Sequence, residues 1–208
     1  MIPRRLLLSV ATAFLTGISS LPAQQAPIKK FDPAVMAASE TKQWQAYYRY
    51  DLPLIQRELA ALLTEQFGLS AQDASAISQS FYQAAAAFAM SQSDYEKNVL
   101  PPLVQGYGDL KKAVGGAWDP EKAARAELAW WVARRRPGEN SPENVGRLIA
   151  ALYTELYGKE NENIQKAGLL RAQAAYKRAV EAAAGTPDWK EINRLLEESY
   201  SSLKAGIE

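Results

Sequence analysis

Five times along this chain an oxygen-bearing side chain stands close to a proline: Asp32-Pro33, Asp51-Leu52-Pro53, Asp119-Pro120-Glu121, Ser141-Pro142-Glu143 and Thr186-Pro187-Asp188. At a helix start such an oxygen accepts from N–H groups that lack an intrahelical partner, and proline loses nothing there because its missing donor would have been idle. Gly68, Gly158 and Gly185 follow apolar-periodic runs, where a left-handed residue ends a helix. Between these marks Ala, Leu, Glu, Gln, Lys and Arg fill long segments, and alternating runs rich in Val, Ile and Thr are absent. The pattern predicts an all-α chain of eight helices near 33–50, 53–67, 70–91, 94–113, 119–136, 142–157, 160–184 and 188–204. Pro101-Pro102 should kink or break the fourth.

The first 23 residues follow other rules. Arg4 and Arg5 precede an uncharged apolar and small-residue run from Leu6 to Leu21, which ends at Pro22-Ala23. That is the layout of a secretory signal peptide, and the run is short against the roughly 20 residues a membrane span needs. The expectation is cleavage after Ala23, a tether over 24–30, and a mature protein in the periplasm or outside the cell. The Arg4-Arg5 pair lacks the serine usual before a twin-arginine signal, which favours the general secretory route.

The 24 Lys and Arg nearly balance the 23 Asp and Glu, and removing the leader leaves 22 against 23. Neither figure supplies the basic surface that nucleic acid or an anionic membrane selects. With no cysteine, an exported chain must be held by its core alone. About 185 mature residues suffice, since a chain of that size buries about 70% of its unfolded surface.

The chain also aligns with itself. Residues 55–68 lie over 145–158 at an offset of 90, with Arg57/Arg147, Ala60/Ala150, Ala61/Ala151, Leu62/Leu152, Thr64/Thr154, Glu65/Glu155 and Gly68/Gly158 identical. Upstream, Glu40 and Trp44 match Glu127 and Trp131; downstream, Asp94-Tyr95 matches Asp188-Trp189, and Tyr107 with Leu110-Lys111 matches Tyr200 with Leu203-Lys204. The order of landmarks is kept, and the offset changes fall at expected loops. The reading is two four-helix repeats, 31–114 and 117–206, packed as one compact domain about an approximate twofold axis. Equivalent residues then tend to meet near that axis, and a site at the junction is the natural hypothesis.

The most unusual segment is Ala126-Glu127-Leu128-Ala129-Trp130-Trp131-Val132-Ala133-Arg134-Arg135-Arg136. On a helix Glu127, Trp131, Arg134 and Arg135 share one face and Trp130 adjoins it. As a site, Trp131 would stack on a ligand, Arg134 or Arg135 would bind an anionic group, and Glu127 would receive a cation or proton. As structure, the arginines would offset the helix dipole and the tryptophans would be core. In the first repeat Glu40 and Trp44 recur, but Tyr47, Tyr48 and Arg49 stand where the second has its three arginines. Tyr50, Tyr153 and Tyr157 are further candidates for a pocket lining. The pairs Arg57/Glu65 and Arg147/Glu155 read as charge arrangements within each repeat.

Without His or Cys there is no thiol nucleophile, no Ser-His-Asp triad, and none of the usual zinc or haem ligands. No phosphate-cradling glycine loop occurs. Glu197-Glu198-Ser199 resembles the Glu-Ser segment of lytic transglycosylases, but the Gly-Leu-Met-Gln stretch that follows in that family is missing, so no residue is carried over. The expected function is a non-catalytic extracytoplasmic binding or interaction module without cofactor or metal, engaging a partner protein or a small anionic ligand near the repeat junction. Its alternatives are an assembly factor of an envelope complex and a carboxylate-dependent enzyme acting on envelope glycan.

Overall fold

The computed structural model describes residues 31–208, so the expected signal peptide and tether lie outside the described residues. The described chain is all-helical: α1 (Pro33–Arg49), α2 (Leu52–Phe67), α3 (Ala71–Met90), α4 (Tyr95–Asn98), α5 (Leu100–Val114), α6 (Pro120–Ala133), α7 (Pro142–Tyr157), α8 (Glu162–Ala184) and α9 (Trp189–Ile207). No strand occurs among the described residues.

The helix starts are made by the residues that announce them. Asp32, Asp51, Asp119, Ser141 and Asp188 are N-caps whose side chains accept from backbone N–H groups two or three residues further on. Ser70 and Asn161 cap α3 and α8 in the same way. Pro187 precedes its cap and does not begin the helix. Gly68, Gly115 and Gly158 close their helices in the left-handed region. Tyr50 does so as a non-glycine, at φ 57°, in the tight turn between α1 and α2.

Two boundaries differ from expectation. The fourth predicted helix is two, broken at Val99 just ahead of the proline pair, because proline tolerates only a first turn. The helix expected to reach 136 ends at Ala133, so the three arginines stand at its C-cap and beyond.

Setting aside the one-turn α4, each helix packs against its predecessor and its successor in the chain, and α9 packs back on α1. The eight long helices therefore form a closed ring. Short connections make neighbours antiparallel, so the C-terminal ends of α1, α3, α6 and α8 share one rim. No helix among the described residues is long and apolar enough to cross a membrane.

The core falls into two clusters that do not follow the order of the chain. One joins Phe31 and Met36, Ala37 and Trp44 of α1 to residues of α7, α8 and α9, among them Ile149, Ile164, Leu196 and Leu203. The other joins Ala123, Ala124 and Leu128 of α6 to residues of α2, α3 and α5, among them Leu63, Ile77, Leu103 and Leu110. Thus α1 is built into the body made by α7–α9, whereas α6 spans the two, with Ala123, Ala124 and Leu128 in the body made by α2–α5 and Trp130 and Ala133 in the other. Trp131 and Leu156 border both clusters.

The backbones of α7 and α8 approach closely at Gly146 and Gly168. A Cβ added at Gly168 would run into the Gly146 carbonyl oxygen and the backbone at Ala150. Both positions need glycine for the two backbones to approach.

Candidate binding site

Residues 40, 44, 47 and 48 lie on one face of α1, and residues 127, 130, 131 and 134 on one face at the end of α6. The ring turns both faces inward, onto a central cavity of about 390 Å³. All eight long helices contribute to its wall.

Two buried glutamates form its polar part. Glu40 is wholly inaccessible. Its Oε1 accepts from Arg171 Nε at 2.9 Å and Nη2 at 2.5 Å, and its Oε2 accepts from the Tyr200 hydroxyl at 2.7 Å. Glu127 accepts from the Trp131 indole N–H at 2.7 Å and from the Tyr107 hydroxyl at 3.0 Å. Each glutamate thus comes from α1 or α6 and meets a tyrosine from α9 or α5. The difference is charge: Glu40 has a guanidinium in contact, whereas Glu127 makes no ion pair among the described residues.

The electrostatics follow from that difference. Burial raises the Glu127 carboxyl above the ordinary glutamate value, against the pull of the nearby Arg171 charge and the hydrogen bonds it accepts. Burial, and then the neighbouring carboxylates, hold the Tyr107 and Tyr200 hydroxyls well above the ordinary value. Burial pushes Tyr153 up to about 12 although Arg171 lowers it. Desolvation is the largest influence on Arg171 and lowers its pKa, but the Glu40 carboxylate together with Tyr153, Tyr200 and Glu127 outweighs it and holds the guanidinium charged. The guanidinium also lies over the Trp130 ring, 4.9 Å from the centroid.

Of the residues singled out in the sequence, Trp44, Glu127, Trp130, Trp131, Arg134 and Arg135 all line the cavity. Glu40 is packed behind the wall and reaches it through Arg171 and Tyr200. Trp130 is buried, with its ring edge on to Trp131 at 6.1 Å between centroids. The Trp130 indole nitrogen lies near enough to lower the pKa of Glu127 yet makes no hydrogen bond. Arg134 donates to the Tyr48 hydroxyl at 2.8 Å. Arg135 donates to the carbonyl oxygens of Phe88 and Ser91 at 2.8 and 2.9 Å, which ties the end of α6 to the end of α3. That is a structural employment, since these are carbonyls the helix leaves open.

The remaining candidates scatter. Tyr47, Tyr48 and Tyr153 line the cavity, whereas Tyr50 is exposed at the rim. Tyr157 is hydrogen-bonded to Gln66 and borders a groove of about 730 Å³ at the opposite end, beside Arg147 and Glu155. The expected pairs within each repeat do not form. Glu65 accepts from the Asp32 backbone N–H at 2.9 Å and Glu155 from that of Asp119 at 2.8 Å. Arg57 turns to Glu58 and Arg147 to Asn144. Glu197 and Glu198 lie exposed on α9, and Glu198 pairs with Arg194. No group of three or more carboxylates among the described residues is placed to hold a metal ion.

Arg171 is the principal residue that sequence reasoning missed. The signal was there: on α8 the buried positions Ile164, Ala167, Ala174 and Ala175 set an apolar stripe, and Arg171 falls on that stripe with Arg178 one further step along. No known protein family, curated protein or solved structure matches the chain.

Proposed function

We propose that this chain is an exported, non-catalytic binding protein made of two duplicated four-helix units, and that the cavity where they meet holds a small ligand. The observation that carries the reading is the composition of the cavity wall. Trp44, Tyr47 and Tyr48 enter it from the first repeat, and Glu127, Trp130, Trp131 and Arg134 from the second. Its volume of about 390 Å³ falls in the range of ordinary ligand pockets, roughly 300–1,000 Å³, and its lining is aromatic with a few convergent polar groups.

Three geometric correspondences support the duplication. The N–H of cap residues Asp32 and Asp119 is taken by Glu65 and Glu155. Glu40 with Tyr200 answers Glu127 with Tyr107. Phe31, ahead of one cap, stacks edge-on against Tyr200, while Trp118, ahead of the other, donates to the Tyr107 carbonyl oxygen. In this reading each repeat lends all or most of its first helix to the body of the other, which brings both glutamates to the centre.

Binding is preferred over catalysis because both oxygens of Glu127 already accept hydrogen bonds and Glu40 is shut off from the cavity. Native mass spectrometry of the protein purified gently from the exported fraction of its host tests the proposal. A small added mass that leaves on denaturation, and that is lost in a folded Trp131→Ala variant, supports it. A bare chain that also fails to bind any small molecule in solution overturns it. An assembly role has one observation of its own: Met90 and Tyr50, 87% and 77% exposed, stand at the ends of α3 and α1 on one rim. It would be favoured by recovery in a complex that Met90→Asp dissociates.

A further inference from the structure

Among the described residues Arg49, Arg135 and Arg147 lack a carboxylate partner but are exposed, whereas two arginines at one end of the cavity lack one while partly buried. Among the described residues Arg57, Arg125, Arg136, Arg171 and Arg194 each have a carboxylate within 4 Å. Arg134 and Arg178 make no such pair, and both converge on Tyr48. Arg134 donates to its hydroxyl, and the Arg178 guanidinium carbon lies 3.0 Å from its ring centroid. The Arg178 Nε is buried without a hydrogen-bond partner, and desolvation together with the Arg134 charge pulls its pKa down. Two partly buried like charges sharing one tyrosine, with no counter-charge within 4 Å among the described residues, carry an uncompensated desolvation cost.

We propose that the ligand of this cavity is a small anion with a planar aromatic body, its charged group held by Arg134 and the Tyr48 hydroxyl. The inference rests on the cavity being the binding site. Arg134 supplies a charge-assisted donor pair suited to a carboxylate. The Tyr48 oxygen accepts from Arg134, which leaves its proton to donate to the same anion. Arg178 reaches the cavity through the Tyr48 ring and acts as a positioning residue that adds charge. The body fits between Trp44, Trp131 and Phe88, whose faces and edges suit another ring. A cationic ligand is disfavoured, because among the described residues three arginines, Arg134, Arg135 and Arg171, line the cavity against one acid, Glu127. The volume admits one or two fused rings with a short head.

The test is isothermal titration calorimetry of the purified protein with 2-naphthoate, 2-naphthylmethylammonium and decanoate. The expected result is binding of 2-naphthoate over the other two, weakened about 10- to 100-fold by Arg134→Met, the loss typical of one charge-assisted hydrogen bond. Circular dichroism checks that this variant folds; if it does not, Tyr48→Phe, which deletes only the hydroxyl, should still weaken 2-naphthoate severalfold. Tighter binding of the ammonium or of decanoate leaves the cavity as a site and overturns the proposed ligand class. Unchanged 2-naphthoate affinity in folded Arg134→Met and Tyr48→Phe proteins overturns the assigned head-group contacts. Failure of all three compounds to bind counts against both the class and the cavity.

Discussion

Arg171 closes on a single oxygen of Glu40, donating from Nε at 2.9 Å and from Nη2 at 2.5 Å, across 131 residues of chain. The pair links α8 to α1, which share one core cluster although they stand far apart in the sequence. Removing one member strands a buried charge, and such losses run to about 3–5 kcal/mol. We expect Arg171→Met and Glu40→Gln each to destabilise the protein on that scale. The double variant should cost much less than the sum, because neither charge is then left unpaired. Urea denaturation of the four proteins measures the coupling, and strict additivity would refute it.

Glu127, its counterpart on α6, has no such partner, and this sets the direction of a pH effect. Its folded pKa stands above the ordinary 4.5, so between the two values the folded state holds a proton that the unfolded state has released. Stability contributed by this group is therefore fully present below about 4.5 and is lost as pH rises through the folded value. Glu127→Gln, which can still accept from Trp131, should be stabilising at pH 8 by more than the about 0.5 kcal/mol of an ordinary surface change. It should be neutral or slightly destabilising at pH 4. Thermal melts at both pH values decide it; a variant equally destabilised at both would show that the carboxyl serves only as a hydrogen-bond acceptor.

The helices were legible because their ends are local chemistry. Ser141 and Asp119 are caps whatever the rest of the chain does, and Gly68 and Gly158 take backbone angles that other residues reach at a cost. Where the reading slipped, the deciding contact was distant. Arg134–Arg136 are good helix formers, yet the backbone leaves the helix at Ala133, where Arg135 bonds the end of α3 and Arg134 bonds Tyr48 of α1. Glu40 and Trp44 could be set beside Glu127 and Trp131 because they recur in register. Arg171 does not recur; by the burial pattern of α3 and α8 its place in α3 falls to Phe81, which packs edge-on against Tyr107. A contact made once, from the middle of an alanine-rich helix, is marked only by its place on that helix's apolar stripe and not by recurrence elsewhere in the chain.

Gly168 tests the tightness of the α7–α8 contact. Its missing Cβ is what lets the Gly146 carbonyl and the Ala150 backbone come in. Alanine is normally the better helix former, by about 1 kcal/mol. Here Gly168→Ala should reverse that preference and cost about 1–3 kcal/mol, the usual range for an overfilled interior. Gly138, which has open space around it but a φ of 85°, is a control for backbone strain without crowding. Chemical denaturation of both alanine variants separates the two causes; a stabilised Gly168→Ala protein would mean the helices can part without loss.

The packing of α1 with α7–α9, and of most of α6 with α2–α5, has a consequence for where the chain can be cut. Residues 31–114 without α6, or 117–208 without α1, would each leave a cluster open along one side. We expect neither fragment to fold alone. The ring, by contrast, is closed between α9 and α1, and Phe31 lies 6.2 Å from Tyr200 between ring centroids. The eight residues beyond Tyr200 rise about 12 Å along the helix, so a flexible linker of about ten residues, reaching roughly 17 Å, can join residue 208 to residue 31. A circular permutant that opens between Gly115 and Gly116 and carries this linker keeps every neighbour in the ring. It should show the helical circular dichroism of the parent and a cooperative melt within about 10 °C of it, while the separate halves regain that signal only when mixed. A half that folds cooperatively by itself would show that the borrowed helix is dispensable, and would contradict the interlocked core.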